Sequence, residues 1–179
     1  MENVEQIAAS AMTIAAVKTD HSLWLWNHCG KGIPEFSKYA GNIQMAVTDE
    51  SGLMALDQTG KLFFWKREEQ QYCQNADAIM DEVVDISAGV GFYAVVKKDG
   101  SLWTWGRNDC GQLGDGTHTN QSNPVKILED VIQVSLGARH GAAVDRKHNL
   151  WTWGENSFGQ LGRGNCKDAA EPIKVADNV

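Results

Sequence analysis

Apolar residues along the chain gather in short runs separated by polar turns, a pattern that predicts strands rather than helices. The final unit shows it most plainly, with strands expected at residues 131–135, 142–145, 150–153 and 173–175. The second and third of these are joined by a short polar reversal. Lys98-Asp99-Gly100-Ser101 holds that place one unit earlier and Gln58-Thr59-Gly60-Lys61 two units earlier, the Asp-Gly pair being a tight-hairpin signal. Lys18-Thr19-Asp20-His21 and Arg146-Lys147-His148-Asn149 occupy the same position with weaker turn chemistry. No helical period persists beyond a turn or two.

The pattern is a repeat. Leu102-Trp103-Thr104-Trp105-Gly106 recurs as Leu150-Trp151-Thr152-Trp153-Gly154, with weaker versions in Leu23-Trp24-Leu25-Trp26 and Leu62-Phe63-Phe64-Trp65. All seven tryptophans, Trp24, Trp26, Trp65, Trp103, Trp105, Trp151 and Trp153, therefore fall in one recurring strand. Twenty-two residues before the last aromatic of each copy stand Val4, Ile43, Val83 and Val131, all β-branched and apolar. These anchors divide a single repeat domain, 1–179, into units 4–42, 43–82, 83–130 and 131–178; the last two share 18 identities in 48 positions without a gap.

Both long units carry a loop, Asn108 with Gly111-Gln112-Leu113-Gly114 and Asn156 with Gly159-Gln160-Leu161-Gly162. Thirteen of the 18 glycines lie between Gly89 and Gly164, where they suit positive φ and tight reversals. Pro124 and Pro172 stand just before the fourth expected strand. The first two units lack this loop, having Asn27-His28-Cys29-Gly30 and Lys66-Arg67-Glu68-Glu69 in its place, so a trimmed or differently paired outer loop is expected there.

A strand with period two places Trp103 and Trp105 on one face and Leu102 and Thr104 on the other, and both faces need cover. Four-stranded units of this length that need neighbours on both sides predict an all-β fold of β-propeller blades, each of four antiparallel strands. The seven tryptophans are then expected to form the core between blades.

Composition narrows the function. The 179 residues carry a formal net charge of −7, which argues against a general phosphate-neutralising surface for nucleic acid. No apolar run is long enough to span a membrane, and residues 1–10 carry Glu2 and Glu5 where a secretory signal would be basic. A cytoplasmic chain is expected, without excluding the nucleus. His28, Cys29, Cys73, Cys110, His118 and Cys166 sit at different repeat offsets without ligand spacing, so neither metal nor cofactor is expected. The glycine loop lacks a following Gly-Lys-Ser/Thr and reads as a turn, not a phosphate cradle. No Ser or Cys is grouped with a His and a carboxylate for catalysis.

The phrase Gly137-Ala138-Arg139-His140-Gly141-Ala142-Ala143-Val144, then the turn, Leu150-Trp151-Thr152-Trp153-Gly154, Asn156 and Gly159-Gln160-Leu161-Gly162, resembles the repeat of the regulator of chromosome condensation family. The resemblance implies a seven-bladed propeller whose loops bind protein partners. The founding member is a nucleotide-exchange factor for a small GTPase that also docks on chromatin, while many relatives only carry protein interactions. His140 occupies a position where the family often places a histidine.

The expected function is a non-enzymatic protein-interaction module; an exchange factor for a small GTPase and a structural fragment of a larger propeller are the alternatives. Partner contact is expected at Arg107, Asp109, Arg139, His140, Glu155 and Phe158, which differ between otherwise similar units. Four units rather than seven leave three readings open: a fragment of a longer propeller, self-association with a second copy to complete a larger ring, or a self-closed or open four-blade unit.

Overall fold

The computed structural model describes residues 2–11, 13–27, 36–68, 71–72 and 76–179, with only the backbone described at 27, 36, 37, 68, 71, 72 and 77. Among the described residues there are strands and turns but no helix. Two compact units divide the chain, Met1–Ile86 and Ser87–Val179, with the boundary inside a strand.

The first unit holds two sheets. One is β1 (Val4–Ala9), β2 (Thr13–Lys18), β3 (Leu23–Asn27) and β4 (Phe36–Ala40), paired in chain order. The other runs β5 (Ile43–Thr48), β6 (Gly52–Asp57) and β7 (Leu62–Glu68), with both β8 (Gln71–Tyr72) and β9 (Asp77–Met80) pairing with β7. After β10 (Val83–Ala88), the sheet of the third blade continues through β11 (Phe92–Lys97), β12 (Leu102–Gly106) and β13 (Gln121–Leu128). The fourth comprises β14 (Val131–Leu136), β15 (His140–Asp145), β16 (Leu150–Gly154) and β17 (Ala169–Ala176). Three are four-stranded antiparallel meanders, and the second has the short β8 as a fifth strand beside β9; together they are blades of a β-propeller fold.

Each unit builds the same core from equivalent residues. In the first, Ala15, Val17, Leu23 and Leu25 of one blade meet Ile43, Ala46, Ala55 and Trp65 of the next. In the second, Ala94, Val96 and Leu102 meet Val131, Val134, Ala143 and Trp153. The central strands β6 and β11 are buried on both faces over five consecutive residues, which explains their unbroken apolar runs.

The first strand of a blade does not follow a period of two. Its buried apolar residues are the first and fourth, Ile43 and Ala46 or Val131 and Val134. A register shift between the first and third residues of β1, β5 and β14 brings positions three apart onto one face.

The expectation that the fourth strand begins after the proline is corrected. β13 and β17 start at Gln121 and Ala169, with Pro124 and Pro172 inside them. The ladder skips there: Thr104 pairs with Val125 and Gly106 with Gln121, and Thr152 with Ile173 and Gly154 with Ala169. Each proline thus falls in an unpaired stretch of an outermost strand, where its missing N–H costs no ladder bond. In the second blade the glycine loop is replaced by an extension of β7, with Arg67 opposite Tyr72 and Glu68 opposite Gln71. The corresponding loop of the first blade, residues 28–35, lies outside the described residues.

Candidate functional site

The loops after β12 and β16 are held by the residues that recur between them. Asn108 is fully buried; its Nδ2 donates to the Thr117 and Thr119 carbonyls, both at 3.1 Å, and its Oδ1 accepts from the Leu113 N–H at 3.0 Å. Asn156 repeats this with the Asn165 and Lys167 carbonyls and the Leu161 N–H. Thr104 and Thr152 donate to the Leu113 and Leu161 carbonyls, tying each loop to its strand. Gln112 and Gln160 accept through Oε1 from the backbone N–H two residues earlier, of Cys110 and Phe158. With most polar backbone groups of the turn answered internally, the variable side chains are displayed on a fixed frame.

Of the six expected contact residues, three gather. Arg107 grips Asp109 with two parallel bonds, Nε to Oδ1 at 2.7 Å and the terminal nitrogen to Oδ2 at 2.6 Å. Arg139 approaches the same carboxylate at 4.0 Å and donates to the Cys110 sulfur at 3.5 Å. The Arg107 bonds, joined by one from Gln112, bring the Asp109 carboxyl down to about 2, so it is an anion at neutral pH. Glu155 stands at the repeat position of Arg107, and its N–H donates to the Arg139 carbonyl as the Arg107 N–H donates to that of Gly91.

His140 and Phe158 stand apart from this cluster. The imidazole lies against Gly137, where an added methyl would collide with the ring. Phe158 is 91% exposed. Cys110 and Gln112 were not among the expected site residues, yet both brace the cluster. The recurrence of Gln112 as Gln160 was the available signal, whereas the position of Cys110 is held by Phe158 in the other long unit. Burial, followed by the neighbouring Asp109 charge, pushes the Cys110 thiol up against the opposing pull of Arg139, leaving it protonated and unsuited to nucleophilic work at neutral pH.

The seven tryptophans divide rather than forming one core. Trp65, Trp105 and Trp153 are buried. Trp24, Trp103 and Trp151 are half-buried, and their indole N–H groups reach the hairpin turns, donating to Ser22 Oγ, Ser101 Oγ and Asp145 Oδ2. Trp26, on the leading side of the first blade, is 41% exposed, which corrects its assignment to the core.

Among the described residues no group of three or more His, Cys, Asp or Glu is placed to hold a metal ion. Cys110 and Cys166 are free thiols, while His28, Cys29 and Cys73 lie outside the described residues. No described helix is long and apolar enough to cross a membrane.

In fold, the chain is similar to human WBSCR16, with 21% identity and a TM-score of 0.81 over 97% of this chain and 53% of that one. It is similar to Prp20p from Saccharomyces cerevisiae, a structure described with its binding properties to Gsp1p and histones, at 16% identity and a TM-score of 0.81 over 97% of this chain and 50% of that one. Yeast RCC1 (Prp20) bound to Kap60 matches at 16% identity and a TM-score of 0.79, over 98% and 50% of the two chains. The chain thus spans about half the length of these solved structures.

Two profiles of the regulator of chromosome condensation (RCC1) repeat match the sequence, one at residues 99–144 and 147–179, the other at 83–112 and 131–160. Together they cover residues 83–179, more than half of the sequence. The chain belongs to the regulator of chromosome condensation repeat family.

Proposed function

We propose that the chain is a non-enzymatic protein-interaction module that presents the loops of its two long units to a protein partner. The observation that carries this reading is the contrast within those loops. Their Asn, Thr, Gln and Gly frame recurs with matching hydrogen bonds, while Arg107 becomes Glu155, Asp109 becomes Ser157, and Cys110 becomes the exposed Phe158. A frame held constant under changing charged and aromatic tips suits recognition, since exposed aromatic and arginine side chains are common binding anchors.

Binding of Gsp1p and histones belongs to Prp20p, and the likeness to it favours a second reading, nucleotide exchange on a small GTPase. Two measurements separate the readings. Histones and nucleotide-loaded small GTPases are titrated against the chain, and labelled nucleotide release is followed in the GTPase mixtures. Saturable binding without faster release is the expected result; accelerated release would establish the exchange reading instead. The paired substitution Arg139→Ala and Phe158→Ala should weaken binding at least tenfold, and unchanged affinity would remove these loops as the contact.

A further inference from the structure

The two ends of the blade series carry complementary halves of one repeated contact. In every later blade the first and fourth residues of the first strand are buried: Ile43 and Ala46, Val83 and Ile86, Val131 and Val134. The corresponding residues of the first blade are Val4 and Ile7, and both are exposed. Ile7 is 72% exposed where Ala46, Ile86 and Val134 are 1%, 3% and 5%. Trp26 is likewise exposed at the position where Trp153 is fully buried.

The other half lies on the fourth blade. Within the second unit, Trp153 donates its indole N–H to the Gln112 carbonyl at 2.8 Å and packs on the loop around Gly114. An added methyl at Gly111, Gly114 or Gly116 would meet Ala170, Trp153 or Glu171. Their counterparts Gly159, Gly162 and Gly164 have nothing within 4 Å of the same point. Ala94, Val96 and Leu102 are fully buried under the fourth blade, whereas Ala142, Val144 and Leu150 at the equivalent positions of that blade are only half-buried.

We propose that a second copy of this chain covers that face, head to tail: β1 of one copy packs on β15 of another, with Ile7 and Val4 against Ala142, Val144 and Leu150, and Trp26 over the loop of residues 159–164. A second copy is the occupant because Val4, Ile7 and Trp26 hold the positions of Val131, Val134 and Trp153, and Ala142, Val144 and Leu150 those of Ala94, Val96 and Leu102, in the contact already made between the third and fourth blades. The contact is heterologous, using different patches on the two partners, and it is separate from the loop cluster of Arg107, Asp109 and Arg139.

Sedimentation velocity across a wide concentration range tests the proposal, alongside Ile7→Asp, Trp26→Ser and the loop variant Arg107→Ala. Association that weakens at least tenfold in the first two and persists in the third is the expected result; circular dichroism checks that each variant is folded. Hydrogen exchange of the unaltered chain supplies a readout that does not depend on the variants. Protection that rises with concentration should map to residues 4–9, 140–145 and 159–164. A monomer at every concentration overturns the proposal and leaves the face to a different occupant. Association indifferent to Ile7→Asp, with protection confined to residues 107–110 and 139–140, overturns it too and assigns self-contact to the loop cluster.

Discussion

At the scale of single residues, the recurrent polar positions are structural and the variable ones are displayed. Asn108 answers two carbonyls and an N–H from inside a closed loop. Asn108→Ala would leave those groups buried without partners, and we expect it to lower unfolding free energy by about 2–4 kcal/mol in urea melts. The hairpin turns supply a second case. Gly60 and Gly100 take positive φ at one turn position, while His21 and His148 hold equivalent turn positions at φ 59 and 60. A side chain in that region crowds its own backbone, so His148→Gly should raise stability by a few tenths to about 1 kcal/mol despite the entropy that glycine loses. The same melts decide the sign. Five residues that flank the blades, Asn3, Asn42, Glu82, Asp130 and Asn178, share this conformation, and Asn and Asp tolerate it best.

At the scale of elements, one blade is coupled to the next by a strand face and an indole. Gly141 opposes Trp153 in the ladder, and a methyl there would enter the indole ring edge. Gly141→Ala should therefore cost about 1–3 kcal/mol as an overpacked core position. Near-UV circular dichroism, which reports the tryptophan environment, should change with it; an unaltered spectrum and melting point would show that the ring has room to move. The hairpins also carry acidic groups whose charge is structural. Burial alone would raise the Asp145 carboxyl, but bonds from the Asn149 side chain and backbone, the Trp151 indole and the Lys147 N–H outweigh it and hold the group well below the usual carboxylate range. At Asp57, bonds from Thr59 and the Lys61 N–H likewise outweigh burial, and Asp99 is lowered by Ser101.

At the scale of the whole molecule, these depressed carboxyls set the acid response. Each favours the folded state while ionised, so their contribution is complete above the ordinary value of 3.8 and is lost as pH falls through the lower folded values, about 2 for Asp109. The melting temperature should be level near pH 5 and decline between about pH 4 and 2. Asp145→Asn should make that decline shallower, and an identical slope would discount the hairpin carboxylates. The blade was legible in the sequence because its signals are local: strand length, turn residues and a tryptophan phrase recurring at a fixed offset depend on backbone geometry that each unit satisfies alone. Recurrence also marked Asn108 and Gln112 as parts of a shared loop, whereas Thr104 was read only as a strand residue and its bond to that loop emerged from the structure. Tertiary structure alone decided which of the equivalent residues are buried. Ile7 and Ala46, or Trp26 and Trp153, occupy the same place in the repeat, yet one of each pair is exposed because burial is a property of what lies against a face. The approach of Arg139 to Asp109 was likewise invisible in the sequence, since β14 must first return Arg139 to the loop after β12.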